Sequence, residues 1–274
     1  MSDAPLMERV LRHDRLMLVV LIGALFALAG IYTVTGVGMR MTALQMTAMR
    51  DMRDMPGPVP PGAWTASYAL LVFLMWWVMM IAMMLPSVAP TVLLHAALLR
   101  HSARSRSDGA PTVRAASAAF LAGYLFVWAG FSLAAATLQW VLEARGIVSS
   151  TMMTLIDTRA GGLLLIAAGV FQFTPLKAAC LAQCRAPARF LSERRRPGLS
   201  GAFVMGLDHG AFCLGCCWVL MALLFAGGIM NLYWIVGLTA FVAVEKLAPF
   251  GALFARVAGA ALVGWGLWIV AQSL

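Results

Sequence analysis

Five side chains able to bind a soft metal or do thiol chemistry fall within ten positions of one apolar run. The run is Gly201 to Met230, and it carries Asp208, His209, Cys213, Cys216 and Cys217. On an α-helix, Met205, His209, Cys213 and Cys216 lie within an arc of about 80°, with Cys217 at its edge. Thioether, imidazole and thiol share polarisable or neutral donor atoms, so the stripe suits a soft metal or thiol redox chemistry. Free cysteine is also an ordinary small buried hydrophobe, and a lone histidine an ordinary satisfied core group. Five such groups together in a run that must otherwise avoid polar atoms favour chemistry.

Three further groups of sulfur residues accompany this run. Met46, Met49, Met52 and Met55 recur every third residue in a polar segment that also contains Arg50, Asp51, Arg53 and Asp54. A three-residue step fans around a helix instead of forming a core stripe, and exposed thioethers select Cu(I) over harder ions. The competing reading is an interfacial turn that happens to use methionine. A later apolar run holds Met75, Met79, Met80, Met83 and Met84 ahead of Pro86, where methionine serves equally as a flexible packing residue. Cys180 and Cys184 stand four apart among six Lys and Arg between Lys177 and Ser200, and nearby cations favour the thiolate that binds metal or attacks disulfides.

The elements that must position these groups are membrane helices. The chain is 62% hydrophobic and 11% charged, with apolar runs near the length of about 20 residues needed to span a bilayer. The ten-residue alternation of a membrane β-barrel is missing, and a soluble domain would expose large apolar patches. An all-α polytopic transmembrane bundle of about seven helices is expected. It comprises a tail over 1–15, a first helix over 16–37, a Met- and Pro-rich loop over 38–65 and a six-helix core over 66–274, with a basic Cys-containing loop at 177–200. The third of these helices, Ala115 to Leu142, is read as carrying no titratable residue, with Ala119, Gly123 and Gly130 offering a close helix contact.

The formal charge of +9 belongs to topology and not to nucleic acid, because Lys and Arg sit between the apolar runs. Counted on alternate sides of the seven helices, they divide 15 to 5. The positive-inside rule then places the amino terminus, Cys180 and Cys184 in the cytoplasm and the Met46 to Met55 loop outside. The donors are thereby ranked in depth: outer thioethers, helix methionines, His209 and Cys213 at mid-depth, and inner thiols.

Several blocks resemble a bacterial domain-of-unknown-function family described as predicted metal-binding integral membrane proteins. They are MWWVMMIAMMLP from Met75, QFTPLKAACLAQCRAP from Gln172, CLGCCWVLMALLFAGGIMNLYW from Cys213, and Glu245 with Lys246. The resemblance covers roughly Ala66 to the end. It implies Gln172, Glu245 and Lys246 as further motif positions, alongside Met79, Met80, Met83, Met84 and the five cysteines. The methionines before Ala66 lie outside it.

Copper handling follows as the first functional expectation: a multi-pass protein of the bacterial cytoplasmic membrane that binds Cu(I) through Met, Cys and His, for transport or for delivery to a cuproenzyme. A copper chaperone or cuproenzyme is the expected partner, besides the lipid bilayer; no enzymatic activity is read from the chain. A membrane thiol oxidoreductase using Cys180 with Cys184 and Cys216 with Cys217 is the alternative. A non-catalytic assembly subunit is the third. No Gly-rich phosphate-binding loop ending in Lys occurs, so any transport would be passive, ion-coupled or partner-driven.

Overall fold

In a computed structural model, residues 4–53, 61–103 and 112–273 are described, so Met55 lies outside the described residues. They form eleven helices: α1 Ala4–Thr35, α2 Ala43–Ala48, α3 Ala66–Ala103, α4 Val113–Ala144, α5 Thr158–Phe171, α6 Pro175–Arg185, α7 Pro187–Glu193, α8 Gly198–Ala222, α9 Leu224–Gly227, α10 Leu232–Leu247 and α11 Gly251–Gln272. Among the described residues, pairing of β type is limited to an isolated bridge between Val148 and Leu155.

Five of these helices are long and apolar enough to cross a membrane: Leu16–Thr35, Ala66–His101, Val113–Ala144, Gly198–Gly227 and Gly251–Gln272. A sixth crossing arises if α5 and α6, bent by 65° at their junction, count as one broken span. The sixth of the seven helices expected from sequence is α10, which has only 16 residues. That is short of the roughly 20 a full crossing needs. The outer faces fit a lipid environment: Leu16, Val20, Leu28 and Ile31 on α1, and Leu253, Val257 and Trp268 on α11, are exposed.

Local sequence explains the breaks. Asp157 caps α5 by accepting from the Arg159 amide, and Thr174 caps α6 by accepting from Lys177 N with Pro175 at the first helical turn. A proline suits that position, where its missing N–H costs nothing. The consequence is a forced change of direction after Phe171 that lays α6 against α8. Pro86 and Pro90, by contrast, lie inside α3, which continues through both; Ser87 Oγ donates to Met84 O at 2.9 Å.

Glycines set the closest helix approaches. A Cβ at Gly206 of α8 would strike the Phe120 carbonyl of α4, and one at Gly123 would strike the Phe203 carbonyl. Gly162 faces the Gly266 carbonyl and Gly169 the Gly259 carbonyl in the same manner across α5 and α11. Close backbone approach at small residues is a packing mode that suits long apolar helices. Gly130, grouped with Gly123 by sequence, faces open space.

Candidate functional site: a buried thiol centre between α6, α8 and α10

Helix α8 points His209, Cys213, Cys216 and Cys217 inward, and all four are buried. Cys216 Sγ donates to Cys213 O at 3.1 Å and Cys217 Sγ to the same carbonyl at 2.9 Å, so both thiols fold back over one turn. Cys184 of α6 comes within hydrogen-bonding reach of the Cys213 and Cys216 thiols, and Cys217 within reach of the same two. Four thiols from two helices thus meet in one place. All five cysteines are free. Among the described residues, no three or more His, Cys, Asp or Glu side chains are drawn round a common point as a ready metal shell. Cys216 and Cys217 instead donate to backbone, while Cys184 sits beside them.

Charge is concentrated at the same spot. Lys246 of α10 donates through Nζ to Cys213 Sγ at 2.9 Å, and Tyr124 Oη of α4 lies 3.0 Å from that sulfur. An ammonium can only donate, so the Cys213 sulfur acts here as the acceptor. One turn away, Lys177 Nζ lies 2.7 Å from Glu245 Oε1 and donates to Cys216 O at 2.9 Å. Glu245 Oε2 has no hydrogen-bond donor. Lys177 and Glu245 are buried to within 1% of complete. Two ammonium groups and one carboxylate, all out of water, require one more anion for neutrality, and the sulfur touching Lys246 is placed to supply it.

The remaining sequence-derived candidates spread outward from this centre. His209 packs its ring against Phe190 at 5.0 Å and against Phe120 and Tyr124 at 5.9 Å, one turn before Cys213, and its Nδ1 has no hydrogen-bond partner. Cys180 is half buried, its Sγ lying where a Cβ on Gly215 would be. Met79, Met80, Met83 and Met84 are buried in the continuous apolar core that also contains the four clustered cysteines. Asp208 turns away to Arg194 at 3.4 Å and Arg196 at 3.9 Å. Met205 Sδ accepts from Arg196 N at 3.4 Å, so it too faces the polar segment and not the thiols. Gln172 is buried with both amide atoms unpartnered. Met46 is buried, Met49 half buried and Met52 exposed, so these three do not converge.

The ranked depth order is not what the structure contains, since Cys184 shares a cluster with Cys213. The stretch taken as a basic loop is largely α6 and α7. Lys177 and Tyr124 were missed by sequence reasoning. Lys177 is one of the six cations counted round Cys180 and Cys184, and its spacing to them puts all three on one side of a helix, which singles it out. Tyr124 stands alone in an apolar run and gave no signal.

A helix bundle with a buried thiol centre balanced by ammonium groups is therefore the class of protein these features define. Residues 73–269 match the model of the PpoB2 family, described as a copper chaperone, and the chain belongs to that family. No curated protein and no solved structure matches the chain.

Proposed function

We propose that this protein is a multi-pass membrane copper chaperone that holds Cu(I) between thiolates of α6 and α8 and passes it to a cuproenzyme. The observation that carries this reading is the meeting of Cys184, Cys213, Cys216 and Cys217 with Lys246 against Cys213. Soft, low-coordinate Cu(I) suits thiolate ligands, and a pair of thiolates round it leaves one net negative charge. Lys246 neutralises that charge, while Glu245 and Lys177 neutralise each other. Half-buried Cys180 beside Gly215 stands at the rim of the cluster as the sulfur through which the ion leaves. Exchange from thiolate to thiolate keeps Cu(I) coordinated throughout.

Copper content tests the reading. Full-length protein purified in detergent under reducing conditions and offered chelator-buffered Cu(I) is expected to retain it stoichiometrically. Protein that binds none, or that is isolated with a Cys184–Cys213 disulfide and a bound quinone, would overturn copper handling in favour of thiol redox chemistry.

We also place the amino terminus and the segment Lys177 to Ser200 in the cytoplasm, with Gly38 to Thr65 outside. With α5 and α6 counted as one broken span, setting aside the buried Lys177 and Lys246 leaves a Lys and Arg imbalance of the same sign. A labelling scan with single introduced cysteines at Arg195 and at Leu44, both exposed, is expected to report opposite sides. Labelling of both from one side would sink the proposed orientation.

A further inference from the structure

A second sulfur-lined cavity lies apart from the thiol centre, where the C-terminal end of α4 meets α2 and the start of α3. It has a volume of about 300 Å³, and Met41, Met46, Met153, Glu143 and Arg40 are among the residues that line it. Resting on the copper-handling reading above, we propose that this cavity is a distinct Cu(I) site, with Met41, Met46 and Met153 as thioether ligands and Glu143 as the buried counter-charge.

The backbone that carries two of the three methionines, Met46 and Met153, is held by specific contacts. Met46 sits on α2, a helix of six residues closed by a capping box in which Thr42 Oγ1 accepts from Gln45 N and Thr42 N donates to Gln45 Oε1. Thr47 Oγ1 accepts from Leu232 N at 2.9 Å and so ties this short helix to α10. Met153 has φ 50°, the one positive value at a non-glycine among the described residues. A residue with a side chain costs free energy there, and glycine would not. Its backbone is held by Met153 N donating to Ser149 O at 2.8 Å and Met153 O accepting from Ile229 N at 3.1 Å. The strain sits in the turn that closes the Val148–Leu155 bridge, and a long thioether residue lining the cavity is kept where glycine would cost less.

The cavity also carries an acidic side chain, with Arg40 as the cation among its other lining residues. Glu143 is fully buried. Its Oε2 accepts from Trp64 Nε1 and its Oε1 from Gln139 Nε2, each at 2.8 Å. The Gln139 amide is oriented by Trp76 Nε1, which can only donate and does so to Gln139 Oε1 at 2.8 Å. Both carboxyl oxygens therefore accept, as an ionised carboxylate requires. Among the described residues Glu143 forms no ion pair. Neutral thioethers leave Cu(I) with its full positive charge, so one ion balances one carboxylate. A divalent hard ion would instead need several oxygen ligands, which the three sulfurs do not offer.

Thioethers bind without losing a proton and more loosely than thiolates, so the site would hold an exchangeable ion ahead of the thiol centre. Cu(I) binding by competition with a chromophoric chelator tests this on the full chain in detergent, first in the parent and then with Cys213→Ser and Cys216→Ser together. The double variant is expected to retain a weaker class of Cu(I), which X-ray absorption shows bound by sulfur. Adding Met41→Leu, Met46→Leu and Met153→Leu, which keep apolar volume, should abolish that class. Adding Glu143→Gln instead should weaken it on the order of tenfold. A parent that binds Cu(I) beside a cysteine variant that binds none overturns this site and leaves the copper reading standing. Residual binding indifferent to the methionines, or a residual ion with only nitrogen and oxygen neighbours, overturns the site as well. A parent that binds no Cu(I) overturns both.

Discussion

Purified protein carrying Cys213→Ser and Cys216→Ser is expected to lose its tightly held Cu(I) while keeping its fold. A hydroxyl is nearly the size of a thiol but is a hard donor, so the exchange removes affinity for soft ions without emptying the site. Serine at 216 can donate to the Cys213 carbonyl as the thiol does, so the local backbone keeps its partner. Serine at 213 can still accept from Lys246, so that ammonium is not stranded. Elemental analysis after gel filtration reads the copper, and thermal unfolding in the same detergent reads the fold. Copper content equal to that of the parent would exclude these two sulfurs as ligands. Lys246→Met offers an independent arm: it leaves every sulfur in place but removes the charge that offsets an anionic bis-thiolate complex. A loss of affinity of roughly 10- to 100-fold is expected, the range typical when a partner of a ligand is removed.

Much of the bundle was legible from the length and composition of its apolar runs. Long uninterrupted apolar runs had to be helices, and α3, α4 and α11 lie close to where composition alone puts them. The face of α8 bearing His209, Cys213, Cys216 and Cys217 was legible for a similar reason, since helical periodicity fixes which residues share a side. What periodicity cannot supply is the neighbour across the gap. Cys184 joins Cys213 only because the chain bends by 65° after Phe171 and returns along α8. Pro175 announces a break there but not its angle. Lys177 was concealed by assigning cations to loops, which holds for the exposed Arg195 and Arg196 and fails for a lysine whose partner, Glu245, is supplied by another helix. The methionines before Ala66 were legible as a group and illegible as individuals. Their three-residue spacing implied that they fan apart, whereas the company of Met46 is Met41, outside that spacing, and Met153, from a loop more than a hundred residues away.

Removing the charge of Glu245 should be among the most damaging single changes in the chain. Glu245→Gln leaves the Lys177 ammonium buried without its 2.7 Å partner, and breaking one side of a buried ion pair costs about 3–5 kcal/mol. The Cys216 carbonyl remains as an acceptor for Lys177, but a neutral dipole does not replace a charge. Replacing both partners, with Lys177→Met and Glu245→Leu, is expected to recover most of that loss. Burying two charges costs several kcal/mol per ion before their attraction repays it, and Glu245 Oε2, which has no donor, shows that the repayment is incomplete. The double variant forfeits the Lys177 bond to Cys216 O, worth about 1 kcal/mol, and gains apolar packing in return. Unfolding of parent, both singles and the double in one detergent closes the thermodynamic cycle. A double variant as unstable as Glu245→Gln would mean the pair is needed for the fold itself. If the double variant is stable but empties of Cu(I), the pair exists for the site: it holds Cys216 in register through its carbonyl and leaves Lys246 free to face the thiolates. A buried pair that costs stability is expected where function, not folding, requires a fixed charge.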